Sequence, residues 1–226
     1  MSSAIHLFVT GSGTDVGKTF VTLRLIDELT AAGYRVRALK PVASGFDVAN
    51  PDASDAGALL RAQGFEPSTA NLDAVSPWRF AAPLSPDMAA ARERRIVPFT
   101  ALVDFCRAPR DTDITLIEGI GGVMVPLDDT HTVLDWIVAL DAPALLVVGS
   151  YLGTLSHSLS AAAALKNRGA RVAGVVVSES AEQPAPAAET ATVLARFLTP
   201  TPVQVLPRHA GRDATPLLPL LAPYLR

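Results

Sequence analysis

Between residues 11 and 19 the sequence reads Gly-Ser-Gly-Thr-Asp-Val-Gly-Lys-Thr, a glycine-rich turn closing on Lys18 and Thr19. Backbone N–H groups of such a turn can converge on an anion, and a helix opening at its end adds about half a positive charge. Lys18 would neutralise the β- and γ-phosphates of a nucleotide, and Thr19 could ligate Mg²⁺. Five residues separate Gly11 from Gly17, one more than the common phosphate-binding loop has. The plain alternative is a glycine-rich βα turn with an incidental lysine.

Phosphoryl chemistry also needs a carboxylate near the metal. Asp113 to Glu118 is an apolar strand pattern ending in an acid, so Glu118 would stand at the carboxyl edge of a sheet, where open α/β sheets bind ligands. A solvated strand end is the competing reading. Gly119, Gly121 and Gly122 would let the backbone approach nucleotide or substrate. Asp55 lies in Pro-Asp-Ala-Ser-Asp, which could equally be a helix-capping run. Lys40 ends a second apolar run and falls at the same sheet edge, where a second cation suggests a second anion; most lysines merely solvate.

Six apolar runs must position these groups: Ile5 to Val9, Arg35 to Leu39, Ile114 to Ile117, Ala144 to Val148, Arg171 to Val177 and Val203 to Leu206. Helical patterns fall between them at Lys18 to Ala32, Phe99 to Arg107, Val133 to Leu140, Leu155 to Arg168 and Ala187 to Phe197. Several runs are apolar at consecutive positions, which predicts a parallel sheet with helices on both faces. The expected fold is α/β, one P-loop NTPase-like domain over residues 1–226 with about seven strands. The proline-containing stretch from Ser44 to Pro98 predicts loops and short helices above one sheet edge.

With 226 residues, 49% of them apolar and 18% charged, the chain can bury a substantial core. The balance of 19 basic and 22 acidic residues gives a net charge of −3, which argues against nucleic acid and anionic membranes as partners. The single cysteine, Cys106, excludes an intrachain disulfide and predicts buried packing. Met1 to Phe8 lacks the regions of a secretory leader, so a cytoplasmic address is expected. Ala142 to Leu165 carries no formal charge over a membrane-spanning length, but its glycines, proline and serines divide it into strand, turn and helix. His6, His131, His157 and His209 show no metal-ligand spacing. Trp78 and Trp136 could line a site or fill the core.

Gly11 to Thr19, Lys40 to Gly45 and Glu118 to Gly122, in this order and spacing, resemble the dethiobiotin synthetase family. Ser76 to Phe80, Pro83 to Pro86, Pro126-Leu127, Asp135-Trp136 and Leu152-Gly153 match family segments too. The resemblance implies an ATP-dependent homodimeric ligase that joins 7,8-diaminononanoate and CO₂. One amine forms a carbamate, the carbamate attacks the γ-phosphoryl group, and the second amine displaces phosphate to close a ureido ring. It also implies roles for individual residues. Asp15, Val16, Gly17, Lys18 and Thr19 cradle the triphosphate, and Gly119, Ile120 and Gly121 belong to the nucleotide site. Thr19, Asp55 and Glu118 hold Mg²⁺. Lys40, Lys18 and Thr14 act on the reacting groups, with Ser44 on the substrate. Backbone N–H groups of Leu152, Gly153, Thr154, Leu155 and Ser156, from the neighbouring subunit, hold the substrate carboxylate.

The chain departs from the family pattern at three places: Ser178-Glu179 replaces Asn-Asp, Asp87 replaces a histidine and Tyr151 replaces a lysine. The base would be read by Ser178 and Glu179 with Pro207, Arg208 and His209. A serine cannot span two base atoms as an asparagine amide does, so loose base selection is expected, with CTP tolerated beside ATP. The alternative class is a partitioning or positioning P-loop ATPase. Such proteins carry an additional lysine early in the loop, where this chain has Gly13.

Overall fold

The computed structural model describes residues 4–182, 184–211 and 214–225. Residues 1–3, part of the segment read for a leader, lie outside that range. The principal sheet has six strands among the described residues: β1 (Ile5–Gly11), β2 (Val36–Leu39), β5 (Ile114–Glu118), β6 (Ala144–Val148), β7 (Val172–Ser178) and β8 (Val203–Leu206). All are parallel, in the order β2-β5-β1-β6-β7-β8, where the sequence led us to expect about seven. Each of the six apolar runs supplies one of them.

Two three-residue strands, β3 (Val42–Ser44) and β4 (Trp78–Phe80), pair separately in parallel. They lie within or beside the stretch expected to hold only loops and helices. Three residues carry too little periodicity to announce a strand.

The helices expected from the sequence pattern are α1 (Lys18–Ala31), α5 (Phe99–Arg107), α6 (Val133–Leu140), α7 (Thr154–Asn167) and α8 (Ala187–Leu198). Short helices α2 (Asp55–Ala62), α3 (Thr69–Val75) and α4 (Pro86–Arg92) sit in the proline-containing stretch, and α9 (Leu218–Leu221) lies near the end. Among the described residues no helix is long and apolar enough to cross a membrane.

Successive strand residues point to opposite faces, which explains the consecutive apolar runs. Phe8, Ile117, Leu146 and Val177 pack into one core with Leu102, Trp136 and Leu194 from the helices. Leu7, Val9, Leu116, Val147 and Val176 pack into a second, against Val21, Leu25 and Leu29 of α1. Trp136 is fully buried, edge-on to Phe8 at 4.9 Å between centroids, and Trp78 is edge-on to Phe105 at 5.7 Å. Both tryptophans therefore fill space. Cys106 is buried, and desolvation pushes its thiol up to about 12, as packing alone would.

This topology positions the site. After β1 the chain crosses through α1 to β2 on one side, while β6 lies on the other, so strand order reverses at the carboxyl end of β1. Such a switch point opens a crevice, and residues 12–17 occupy it.

Candidate active site

The loop after β1 wraps its own lysine. Lys18 Nζ donates to the Gly13 carbonyl at 2.8 Å, and a Cβ at Gly11 would lie within 3.2 Å of Val16, the Gly13 carbonyl and Lys18. Asp15 (φ 55°) and Gly17 (φ 91°) both take left-handed backbone. At Gly17 a side chain is excluded twice, because its Cβ would also meet Ser178 Oγ at 2.3 Å.

Lys40 and Glu118 come from neighbouring strands and meet below this loop. Lys40 Nζ lies 2.7 Å from Glu118 Oε1, 3.0 Å from the Gly119 carbonyl and 3.0 Å from Asp55 Oδ2. Thr19 Oγ1 donates to the same Glu118 oxygen at 2.8 Å. Lys40 is 3% exposed and Glu118 0%, so neither is the solvated surface group that the sequence left open. The run before Asp55 does cap a helix, and Asp55 also faces the cluster. Ser54 caps α2 by accepting from the Gly57 N–H at 3.0 Å, and this sets Asp55 in the first turn, facing Lys40.

Burial would lower the Lys40 ammonium, but the carboxylates of Glu118 and Asp55 outweigh it and raise the group above its usual value. Among the described residues Lys18 has no carboxylate in contact. Desolvation first, and repulsion from Lys40 second, bring it down to about 8. The Asp55 carboxyl is opposed by its own desolvation yet held below the usual range by Lys40.

Above the cluster opens a cavity of about 790 Å³. Thr14, Asp15, Gly17, Lys18 and Thr19 line it, together with Lys40, Ser44, Asp55, Ile120 and Gly121. Ala43, Phe46, Pro83, Leu84, Pro86 and Val125 add an apolar wall that sequence reasoning did not assign. Its only signal was the Pro83 to Pro86 family segment.

A second cavity of about 590 Å³ adjoins the first across Asp15 and Gly17. Val16, Phe20, Ser178, Glu179, Ser180 and Ala181 line it with Arg208 and His209. Glu179 accepts from the Arg208 N–H at 2.8 Å, which ties its two rims together. Pro207 precedes that rim.

Not every expected residue reaches a cavity. Gly119 is covered, since a Cβ there would meet the Phe8 ring at 2.8 Å; its carbonyl serves Lys40 instead. Gly122 packs on the phosphate-binding loop, where a Cβ would lie 3.1 Å from the Ser12 carbonyl oxygen. At both positions the missing side chain makes room for close packing. Leu152 to Ser156 line neither cavity. Leu152 is 85% exposed, and Gly153 (φ 95°) starts α7 without a side-chain cap. Asp87 is in the first turn of α4, one residue past the cavity-lining Pro86. Among the described residues no cluster of three or more His, Cys, Asp or Glu side chains is arranged for a metal.

A family model described as an AAA domain matches residues 6–211. The chain is 50% identical over 205 residues to an ATP-dependent dethiobiotin synthetase BioD of Acidiphilium cryptum, covering 88% of this chain and 91% of that one. It is 47% identical to the enzyme of that name from a Caulobacter species, over 96% of both chains. The corresponding Escherichia coli K12 protein, BioD 1, is 37% identical over 87% of each. Among solved structures, the septum site-determining protein MinD of Pyrococcus horikoshii aligns with a TM-score of 0.50 and 16% identity over 92% of this chain and 82% of that one, a likeness of fold.

Proposed function

The chain belongs to the ATP-dependent dethiobiotin synthetase family, and on that premise we propose how its own residues carry the reaction. It is a ligase that forms dethiobiotin at the expense of ATP, a step of biotin biosynthesis. The observation that carries the residue assignment is the cluster of Lys18, Thr19, Lys40 and Asp55 lining a cavity, with the buried Glu118 behind it in contact with Lys40 and Thr19, and apolar residues forming part of the same lining.

The aliphatic chain of 7,8-diaminononanoate lies against Phe46, Pro83 and Leu84, with Ser44 and Thr14 beside its amines. One amine nitrogen adds to CO₂ and releases a proton, giving a carbamate. A carbamate oxygen attacks the γ-phosphorus and ADP leaves. The second amine then attacks the carbamoyl carbon, and phosphate departs as the ring closes. Carbamate and γ-phosphate are both anionic, so bringing them together needs fixed positive charge. Lys18 supplies it from the loop, and Lys40 supplies it from the sheet, held in place by Glu118 and Asp55.

Thr19, Asp55 and Glu118 offer hard oxygen donors of the kind Mg²⁺ takes, and Glu118 Oε2 is buried without a hydrogen-bond partner. These three residues would hold the ion, which when bound offsets phosphate charge.

The second cavity takes the base. Ser178 offers one hydroxyl there and Glu179 is engaged with the Arg208 backbone, so selection is loose and CTP is accepted beside ATP. Residues 1–226 act as one domain in the cytoplasm. The active unit is a homodimer, in which the exposed start of α7 serves the carboxylate of the partner's substrate.

The test is incubation with 7,8-diaminononanoate, bicarbonate and MgATP, with mass detection. The expected result is the ureido product with one phosphate released per ring. ATP hydrolysis that ignores the diamine and yields no ureido product would contradict the reading and favour a nucleotide switch.

A further inference from the structure

Beyond the ends of β6 and β7 the ladder of backbone bonds stops, and two serines 30 residues apart replace it. The Ser150 N–H donates to Ser180 Oγ at 3.0 Å, and the Ser180 N–H donates to Ser150 Oγ, also at 3.0 Å. Each hydroxyl therefore satisfies the other residue's backbone. Ser150 is 0% exposed, so loss of the Ser180 hydroxyl would leave a buried donor, the Ser150 N–H, unpaired.

The clip joins two working parts. Ser180 lies in the wall of the 590 Å³ cavity, two residues after Ser178, which itself presses on Gly17 of the phosphate-binding loop. On the other side, Ser150 follows Gly149, whose carbonyl accepts from Thr154 Oγ1, the first residue of α7, at 2.7 Å. There is no slack at Gly149, because a Cβ would come within 2.8 Å of both Ser180 Oγ and the Tyr151 ring. A continuous run of contacts therefore leads from the phosphate-binding loop through residues 178–180 to the start of α7.

We infer that Ser150 and Ser180 are positioning residues that hold the base-facing loop and tie it to the first turn of α7, so that a base in the cavity is felt at that turn. This rests on the assignment of the 590 Å³ cavity to the base. It adds a mechanical link between the nucleotide and the surface from which α7 begins. A ligand that lacks a base leaves the cavity wall of residues 178–180 uncontacted and loads the clip far less than a nucleotide does.

The experiment compares MgATP with inorganic tripolyphosphate, by calorimetric titration of the full chain and by hydrogen exchange at residues 154–158. In the unaltered protein ATP binds more tightly than tripolyphosphate and slows exchange in the first turn of α7. In Ser180→Ala the ATP dissociation constant rises about fivefold to tenfold, while that of tripolyphosphate stays within about twofold. The ATP-dependent protection of α7 is lost as well. Ser180→Thr, which keeps the hydroxyl at a half-buried position, restores both. An equal loss for the two ligands, or undiminished α7 protection in Ser180→Ala, would overturn the inference while leaving the cavity assignment standing. Equal affinity of the unaltered protein for ATP and tripolyphosphate would refute the cavity assignment and the inference with it.

Discussion

Lys40 and Glu118 are buried and braced against each other at the carboxyl edge of the sheet, with Lys18 buried beside them, whereas Arg208 and His209, which rim the adjoining cavity, are exposed and belong to a loop. The first region is charge against charge at 2.7 to 3.0 Å, with its groups carried on strands and a helix start. The second holds together mainly through hydrogen bonds to backbone N–H groups, among them Glu179 to Arg208 and Ser180 to Ser150. A low-dielectric, prearranged cluster suits a step in which negative charge must be concentrated. An open loop rim suits contacts that need only orient the base. Chemistry should therefore fail steeply when the first region is altered, and selectivity should drift when the second is.

The largest effect is expected at Lys18. Lys18→Met removes the cation nearest the triphosphate and should lower kcat about 10³-fold and weaken nucleotide binding together, as stopped-flow binding and steady-state rates would reveal. Glu118→Gln keeps the shape but loses the charge that holds Lys40. It should cost about 10²-fold in kcat and raise the Mg²⁺ concentration needed for half-maximal rate; an unchanged Mg²⁺ dependence would remove Glu118 from the metal set.

Gly17 is where the two regions touch. In Gly17→Ala the left-handed backbone costs about 1–2 kcal/mol, and the clash with Ser178 adds to it. Thermal unfolding should shift down and nucleotide binding should weaken. Ser178→Gly should recover part of the loss, since it removes the clash and leaves the backbone strain.

Protonation separates the regions more gently. Lys18, brought down to about 8 by burial and by Lys40, is increasingly neutral in the free protein as pH rises past that value. A bound triphosphate favours the ammonium and raises its pKa again. Nucleotide binding should therefore take up a proton in the window above about pH 8 and weaken as pH climbs toward 10.5. Calorimetry in buffers of different ionisation enthalpy measures that uptake directly. Release of a proton, or none, would place the titrating group elsewhere.

The smallest effect belongs to the base rim. The kcat/KM preference for ATP over CTP should stay below roughly a hundredfold, and Ser178→Asn should move it toward ATP by the worth of one bidentate contact, about 1–3 kcal/mol at most. An unchanged ratio would mean that the base is read from the Arg208 side.

The same contrast governs what could be read from the sequence. Buried parallel strands announce themselves by consecutive apolar residues, and a lysine or glutamate ending such a run has one place to go. Lys40 and Glu118 were legible for that reason, as was the glycine-rich loop that follows β1. Glycines were harder, because a missing side chain can admit a ligand or a neighbouring chain; Gly119 and Gly122 turned out to admit Phe8 and Ser12. The β3–β4 pair was too short to leave a pattern. The Ser150–Ser180 clip joins common residues 30 positions apart, and neither serine differs locally from any other loop serine.

The most direct test of the division between charge cluster and base rim is the dissociation constant of MgATP in Lys40→Met, measured beside its kcat. If Lys40 acts on the carbamate and the transferring phosphoryl group, kcat falls about 10²- to 10³-fold while the dissociation constant stays within about threefold of the unaltered protein. A near-normal kcat, or a dissociation constant that rises in step with the lost rate, would contradict it.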